Sequence, residues 1–191
     1  MIKISREVAS VAIFVPKTRE DFLKYSCDLT FDPNTANQEL LLSEGNKRVT
    51  RRKWEDYPDH PDRFIGHAQV LCEQGFSRRV YWEVELEQEK FGAGIAVVYK
   101  SISAKGNFRT DEKAWCLQFT GKECSFWHLG EKTEISISPT SRIGVYVDYR
   151  AGTLSFYNVS DSMTLLHSVN ITFTESIYPG FWVSSSLKLC S

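Results

Sequence analysis

Histidine side chains are the first candidates for chemistry in this sequence, because they carry protons and bind metals. The four histidines are His60, His67, His128 and His167. None of them stands in the H-E-x-x-H spacing of a zinc-dependent hydrolase. The segment Gly92-Ala93-Gly94 lacks the third glycine of a nucleotide-binding loop, and no G-x-S-x-G nucleophile motif occurs. These patterns predict no catalytic site, no metal site and no cofactor, so we expect a protein that is not an enzyme.

Cysteine is the next reactive residue type. The five cysteines are Cys27, Cys72, Cys116, Cys124 and Cys190. Their odd number, irregular spacing and lack of a C-x-x-C pair argue against a disulfide framework and against a zinc site. We therefore expect free thiols in a reducing compartment, which favours a cytoplasmic protein.

The amino-terminal residues imitate a signal peptide only loosely. The apolar run at residues 8–15 follows Lys3 and Arg6, but it is short and ends without a small-x-small cleavage site. No run approaches the ~20 apolar residues that a membrane-spanning helix needs. The sequence thus predicts neither secretion nor a membrane span.

A cluster of cations is the sharpest charge feature. It comprises Lys47, Arg48, Arg51, Arg52 and Lys53. Such a cluster can hold an acidic peptide or phosphate groups, or it can be a solvated loop balanced by the acids that follow at residues 55–62. Because the net charge of the chain is only −1, nucleic acid is disfavoured as a partner. For an acidic or phosphorylated protein partner both alternatives stay open.

The elements that must position these side chains are mostly strands. Thr18 and Asp21 form a capping-box pattern that predicts a short helix over residues 19–25, held to the body by Phe22 and Leu23. Elsewhere the hydrophobic period is two. In residues 80–87, the residues that alternate with Val80, Trp82 and Val84 are mostly polar, which predicts a strand with one solvated face.

The same alternation recurs at short intervals. It is seen in residues 95–99, 115–119, 143–149 and 154–156, and further short runs occur at 125–128, 165–169 and 180–183. Gly152 supplies a turn residue between two of these strands. Many short strands separated by turns predict an all-β antiparallel sandwich or barrel.

Ordered motifs across the chain resemble the PRY-SPRY family. Residues 29–36 (LTFDPNTA) and 41–45 (LLSEG) resemble the PRY signature L-x-L-D-P-x-T-A…L-S-E. The SPRY signature follows in residues 81–85, 101–107, 115–117, 143–149, 152–159, 178–181 and 187–190. The amino-acid sequence of these motifs most resembles that of the carboxy-terminal domains of fish TRIM proteins (the finTRIM group).

This resemblance implies a bent antiparallel β-sandwich of two sheets with a short amino-terminal helix. It implies a PRY segment at 18–75 and a SPRY segment at 76–191, folded as one compact domain, and we expect residues 1–17 to be a linker or an amino-terminal tail. The implied function is protein–protein interaction, as the target-recognition domain of an innate-immune, antiviral TRIM-type ubiquitin ligase. Alternatives are the carboxy-terminal domain of a NACHT-type receptor or of a stonefish-toxin-like pore-forming protein. The isolated domain is expected to be a monomer, and a parent TRIM protein a coiled-coil dimer.

The resemblance also implies where a protein ligand binds. In an antibody-binding TRIM relative, contacts come from the positions of Gln118, Thr120, Phe181 and Trp182, and from an acidic residue at the position of Gly92. That relative has tryptophans where Gln118 and Thr120 stand, so antibody binding is not expected here. Trp82 and Trp115 are expected in the core, because each lies on the same strand face as apolar residues at every second position. The predicted partner-binding residues are Arg51, Arg52, Lys53, Trp54, Tyr57, Phe91, Gln118, Thr120, Phe181 and Trp182.

Overall fold

The computed structural model describes residues 14–87, 92–137, 140–159 and 162–191. One helix, α1, spans Arg19–Leu23. The described strands are β1 (Leu40–Ser43), β2 (Arg48–Arg51), β3 (Gln69–Leu71), β4 (Val80–Leu86), β5 (Ala93–Tyr99), β6 (Ala114–Thr120), β7 (Glu123–His128), β8 (Glu131–Ile135), β9 (Arg142–Asp148), β10 (Thr153–Val159), β11 (Met163–Asn170), β12 (Ile177–Val183) and β13 (Ser186–Leu189).

Two antiparallel sheets form the body of the protein. The seven-stranded sheet has the order β1-β2-β13-β4-β9-β10-β11, and the six-stranded sheet has the order β3-β12-β5-β6-β7-β8. Their inner faces enclose one large apolar core that includes both Trp82 and Trp115. The sandwich and the core positions of these two tryptophans are as predicted.

Helix α1 begins as predicted and ends earlier. Thr18 Oγ1 accepts the N–H of Asp21, and the Asp21 carboxylate accepts the N–H of Thr18, each at 3.2 Å. Phe22 is buried against Tyr81 and Tyr146, as expected. The prediction for Leu23 was wrong, because its side chain is 39% exposed.

The predicted solvated face of β4 was also wrong in part. Tyr81 is fully buried and Glu83 is 5% exposed, because α1 covers the outer face of the seven-stranded sheet at this point. The Glu83 carboxylate accepts hydrogen bonds from Arg19 at 2.7 and 2.9 Å, from Tyr81 at 2.8 Å and from Arg142 at 3.2 Å. Burial raises the pKa of Glu83, but these donors outweigh it, so its pKa lies below the ordinary value.

The outer face of the six-stranded sheet is covered over only part of its area. Residues 100–113 cross it and bury Ile102 and Phe108 against Ala96, Val98 and neighbouring side chains. The Gln69 amide fixes this segment, since it donates to the Gly106 carbonyl at 2.9 Å and accepts the Phe108 N–H at 3.1 Å. The rest of this face, which we call open because no other described segment crosses it, carries the site described next.

Candidate functional site

The open part of the outer face displays one row of side chains across four strands. Trp182 lies opposite Gly94, Gly94 opposite Gln118, and Gln118 opposite Ser125. The residues that alternate with them, among them Phe181, belong to the inner core. Trp182 and Gln118 are half-buried and Thr120 is exposed, so the structure places these three predicted residues on one surface.

Two glycines allow Trp182 to lie close against this sheet. A Cβ atom at Gly92 would come within 2.7 Å of the Trp182 ring, and one at Gly94 within 3.1 Å of Trp182 Cβ. Contacts below 3.0 Å require a shift of the neighbouring group, so a larger residue at position 92 displaces the ring. Trp182, which the sequence predicted as a partner-binding residue, is therefore half-buried and forms a platform on this face.

The sequence-based prediction missed Trp127 and Arg109 on the same face. Trp127 lies opposite Cys116 and donates from Nε1 to Ser125 Oγ at 2.8 Å. The Arg109 guanidinium carbon stands 5.3 Å from the Trp127 ring centroid. Alternation in residues 125–128 was a usable signal, because Trp127 and Ser125 must face away from the core residue Phe126. No sequence pattern indicated Arg109, which arrives from a distant loop.

A groove of about 730 Å³ lies beside this face. Its walls include Glu39, Trp54, Asp59, Pro61, Arg63 and Ile65. The chain runs from the groove residue Gly66 into β3, where Gln69 lies opposite Trp182. We call this site the Trp54 groove.

Buried polar contacts hold the loop that forms the Trp54 groove. The Arg63 guanidinium is buried and donates to the carbonyls of Pro58 at 2.7 Å, Pro33 at 2.8 Å and Ala36 at 2.8 Å. It also lies 4.9 Å from the centroid of the Tyr57 ring, whose hydroxyl donates to Leu40 at 2.6 Å. Burial raises the pKa of Tyr57, so the phenol stays protonated. The main role of the Tyr57 side chain is therefore to hold this loop in place rather than to contact a partner.

The basic cluster is a strand and its flanks, and three of its five cations form salt bridges. Lys47 pairs with Asp28, Arg48 with Glu44 and Glu87, and Arg51 with Glu39. Within the described part of the chain, Arg52 and Lys53 form no salt bridge, and both are exposed. These two are therefore the cations of the cluster without a carboxylate partner in those ranges.

Two further predicted partner-binding residues stand apart. Phe181 is fully buried and packs edge-on against Phe31, with ring centroids 5.4 Å apart, so its prediction as a contact residue was wrong. Its position in β12 places it on the inner face, because Trp182 takes the outer face. Phe91 lies outside the described residues.

Reactive side chains are shielded in this fold. Burial raises the pKa of Cys27, Cys116 and Cys124 to about 12, so these thiols are protonated near neutral pH and are weak nucleophiles. Among the residues that the structure describes, no group of His, Cys, Asp and Glu side chains is arranged to hold a metal ion. In the same ranges, no helix is long and apolar enough to span a membrane.

Two family models match almost the whole of this architecture. The model of the SPRY-associated domain, PRY, matches residues 29–76, and the model of the SPRY domain matches residues 79–191. The crystal structure of the TRIM65 PSpry domain superposes with a TM-score of 0.84 at 26% identity, covering 94% of this chain and 100% of that one.

Relatives of two kinds are similar to this chain. Tripartite motif-containing protein 16 of Mus musculus is 42% identical over 178 residues, which are 88% of this chain and 32% of that protein. Stonustoxin subunit beta of Synanceia horrida is 37% identical over 179 residues, which are 89% of this chain and 25% of the toxin subunit. The chain thus spans between a quarter and a third of the length of these relatives.

Proposed function

The chain belongs to the PRY-SPRY family, and from this premise we propose that it recognises a protein partner through the open outer face of its six-stranded sheet and the adjoining Trp54 groove. The observation that carries the proposal is the pair of half-buried tryptophans, Trp127 and Trp182, on the outer face of this sheet beside the part that residues 100–113 cover. Tryptophan, tyrosine and arginine are the residues that most often anchor interfaces.

The polar groups of this face support the same proposal. Between the tryptophans, Gln118 Oε1 is buried and has no hydrogen-bond partner within the described residues. A buried acceptor without a donor destabilises a protein by about 1–3 kcal/mol, and a donor from a partner relieves this cost. Rigid strands hold all these groups, so binding requires little ordering of the chain.

The parent protein that we propose is a TRIM-type ubiquitin ligase of innate antiviral immunity. This chain is then its cytoplasmic target-recognition domain, without catalytic residues of its own, and a coiled coil makes the parent a dimer. The likeness to mouse tripartite motif-containing protein 16 supports this proposal. The second candidate is a toxin-like protein in which the domain acts in assembly, and the likeness to stonustoxin subunit beta supports that alternative. The full reading frame discriminates the two, since RING cysteines upstream favour the first and a perforin-like region favours the second.

Affinity capture with matched variants tests the binding surface. We expect Trp182→Ala and Trp127→Ala each to lose proteins that the wild-type domain retains from a cell lysate, because both remove large contact areas. Leu165→Ala is the control, since Leu165 is also exposed but lies on β11 of the other sheet. Thermal unfolding must show that all three variants are folded. If both tryptophan variants retain the same proteins as the wild type, the proposed surface is wrong.

A further inference from the structure

The Trp54 groove has a charge pattern that selects one class of partner. Resting on the proposed function, we propose that this groove receives a lysine or arginine side chain of the protein partner, with its alkyl stem on Trp54 and its cation beside Asp59 and Glu39. Such an occupant has the opposite charge to the acidic or phosphorylated partner that was one of two open alternatives for the cluster at residues 47–53.

The first step is that four of the five N–H donors of Arg63 are already bonded to main-chain carbonyls. Although it lines the groove, its guanidinium is 6% exposed. Its Nε, Nη1 and Nη2 all donate to main-chain carbonyls of Pro33, Ala36 and Pro58. An incoming carboxylate or phosphate therefore finds no arginine fork with which to pair.

The second step is that His60 is bonded within its own loop. Its Nδ1 accepts the N–H of Asp62 at 3.1 Å. The ring therefore forms a polar wall of the groove beside Asp59.

The third step is that the acidic groups lining the groove are Asp59 and Glu39. The free cations at residues 52 and 53 are not among its lining residues, and of the four carboxylates in residues 55–62 only Asp59 is. Asp59 is exposed and forms no salt bridge within the described part of the chain. Glu39 pairs with Arg51 at 2.9 Å, but both side chains are well exposed, and such pairs contribute only about 0–1 kcal/mol. Glu39 can thus share its carboxylate with a second cation at little cost.

The fourth step is the apolar part of the groove. Trp54 is 65% exposed and Ile65 is 59% exposed, and both line the groove with Pro61. Lysine and arginine cover apolar surface with their stems while keeping the charged group in water or at a carboxylate. A cation over an indole face adds about 0.5–1 kcal/mol at an exposed site. One side chain type therefore matches the tryptophan and the carboxylate together.

Selection from a random peptide library displayed on phage tests this inference. We expect the wild-type domain to enrich peptides with lysine or arginine beside an apolar residue. Synthetic copies should bind Asp59→Lys and Trp54→Ala about tenfold more weakly, because each change removes about 1.4 kcal/mol of contact. The matched control is Glu131→Lys on β8, which reverses a charge on an exposed strand outside the groove and should leave affinity unchanged.

The outcomes separate this inference from the proposed function. Enrichment of acidic peptides, no enrichment at all, or full affinity for Asp59→Lys overturns the basic occupant. If the selected peptides lose affinity for Trp182→Ala or Trp127→Ala but keep it for Trp54→Ala, the recognition surface stands and the groove inference falls. If none of these variants changes the affinity of the selected peptides, both the proposed recognition surface and the groove inference are wrong. A phosphoserine peptide series serves as the opposite-charge probe, and tighter binding of it than of the basic peptides also overturns the inference.

Discussion

Arg63 is a single residue on which the shape of the Trp54 groove depends. Its guanidinium joins residues 33–36 to Pro58 through buried hydrogen bonds to carbonyl oxygens. Hydrogen bonds to charged groups contribute about 1.5–3 kcal/mol to stability, and leaving the buried carbonyls without a donor would destabilise the fold further. Lysine has neither the planar fork nor enough donors to replace them.

We therefore expect Arg63→Lys to lower the free energy of unfolding by about 2–4 kcal/mol, as measured by urea titration. Arg52→Lys is the matched control, because Arg52 is exposed and such changes stay within about 0.5 kcal/mol. An Arg63→Lys variant as stable as the control would contradict this role.

Gly92 controls the orientation of Trp182. We expect Gly92→Ala to tilt the indole, because the new Cβ would lie 2.7 Å from ring atom Cζ3 and 3.0 Å from the Phe119 carbonyl oxygen. The cost is about 1–3 kcal/mol of stability. NMR of the indole N–H signals should show the Trp182 resonance shifted and the other tryptophans little changed.

A double-mutant cycle identifies the contact. In a Trp182→Leu background, Gly92→Ala should lower the free energy of unfolding by clearly less, because the indole ring that the new Cβ would contact is absent. Equal costs in both backgrounds would place the strain elsewhere, at the Phe119 carbonyl.

At the scale of elements, the contact between α1 and β4 makes stability depend on pH. The pKa of Glu83 lies below its ordinary value of 4.5 because the donors from Arg19, Tyr81 and Arg142 outweigh burial. A lowered folded-state pKa gives stabilisation that is complete above about 4.5 and is lost as the pH falls through the folded value.

We expect the unfolding free energy to fall with acidification below that value, and Glu83→Gln to flatten this fall. At neutral pH the variant should be less stable by about 3 kcal/mol, because two arginines lose their buried acceptor. Glu131→Gln on β8 is the control, since Glu131 is exposed and forms no salt bridge within the described ranges. An acid limb identical in wild type and Glu83→Gln would refute the assignment to this residue.

Strand β4 also shows how much of the fold could be predicted from the sequence. Alternation predicted the inner face of β4 correctly, because apolar residues at every second position of a strand must face the core. It misassigned Tyr81 and Glu83, because the sequence of a strand is the same whether water or a side chain from another segment forms the hydrogen bonds of its polar residues. The helix that covers them lies far away in sequence, and no local pattern records that contact.

Sequence reasoning predicted less of the candidate site than of the fold. The resemblance led to Gln118, Thr120 and Trp182, which share one face in the structure, but it also included the core residue Phe181. The charges of residues 47–53 could not be interpreted from sequence, because their partners Asp28, Glu39, Glu44 and Glu87 are joined to them only by folding. Contacts between segments decide which polar groups stay free to bind.

At the scale of the molecule, the two segments matched by separate family models share both sheets. Strands β1 and β2 extend the seven-stranded sheet beyond β13, and β3 extends the six-stranded sheet beyond β12. In the core, Val49 pairs with Leu187, and Phe31 packs on Phe181. Removing the first segment would leave two unpaired sheet edges and expose these buried side chains.

We therefore predict that a chain cleaved between Ser77 and Arg78 stays associated and native, whereas residues 78–191 alone lose their cooperative unfolding transition. Circular dichroism and urea titration of the separated pieces measure this, after dissociation in denaturant and removal of the first piece. Recombining the two pieces is the control and should restore the transition, because each sheet then regains its missing strands. A separated second piece that unfolds cooperatively at the urea concentration of the intact chain would show that the first segment is an addition to the fold. In that case the Trp54 groove and the face bearing Trp182 would be independent in stability, although they adjoin through β3.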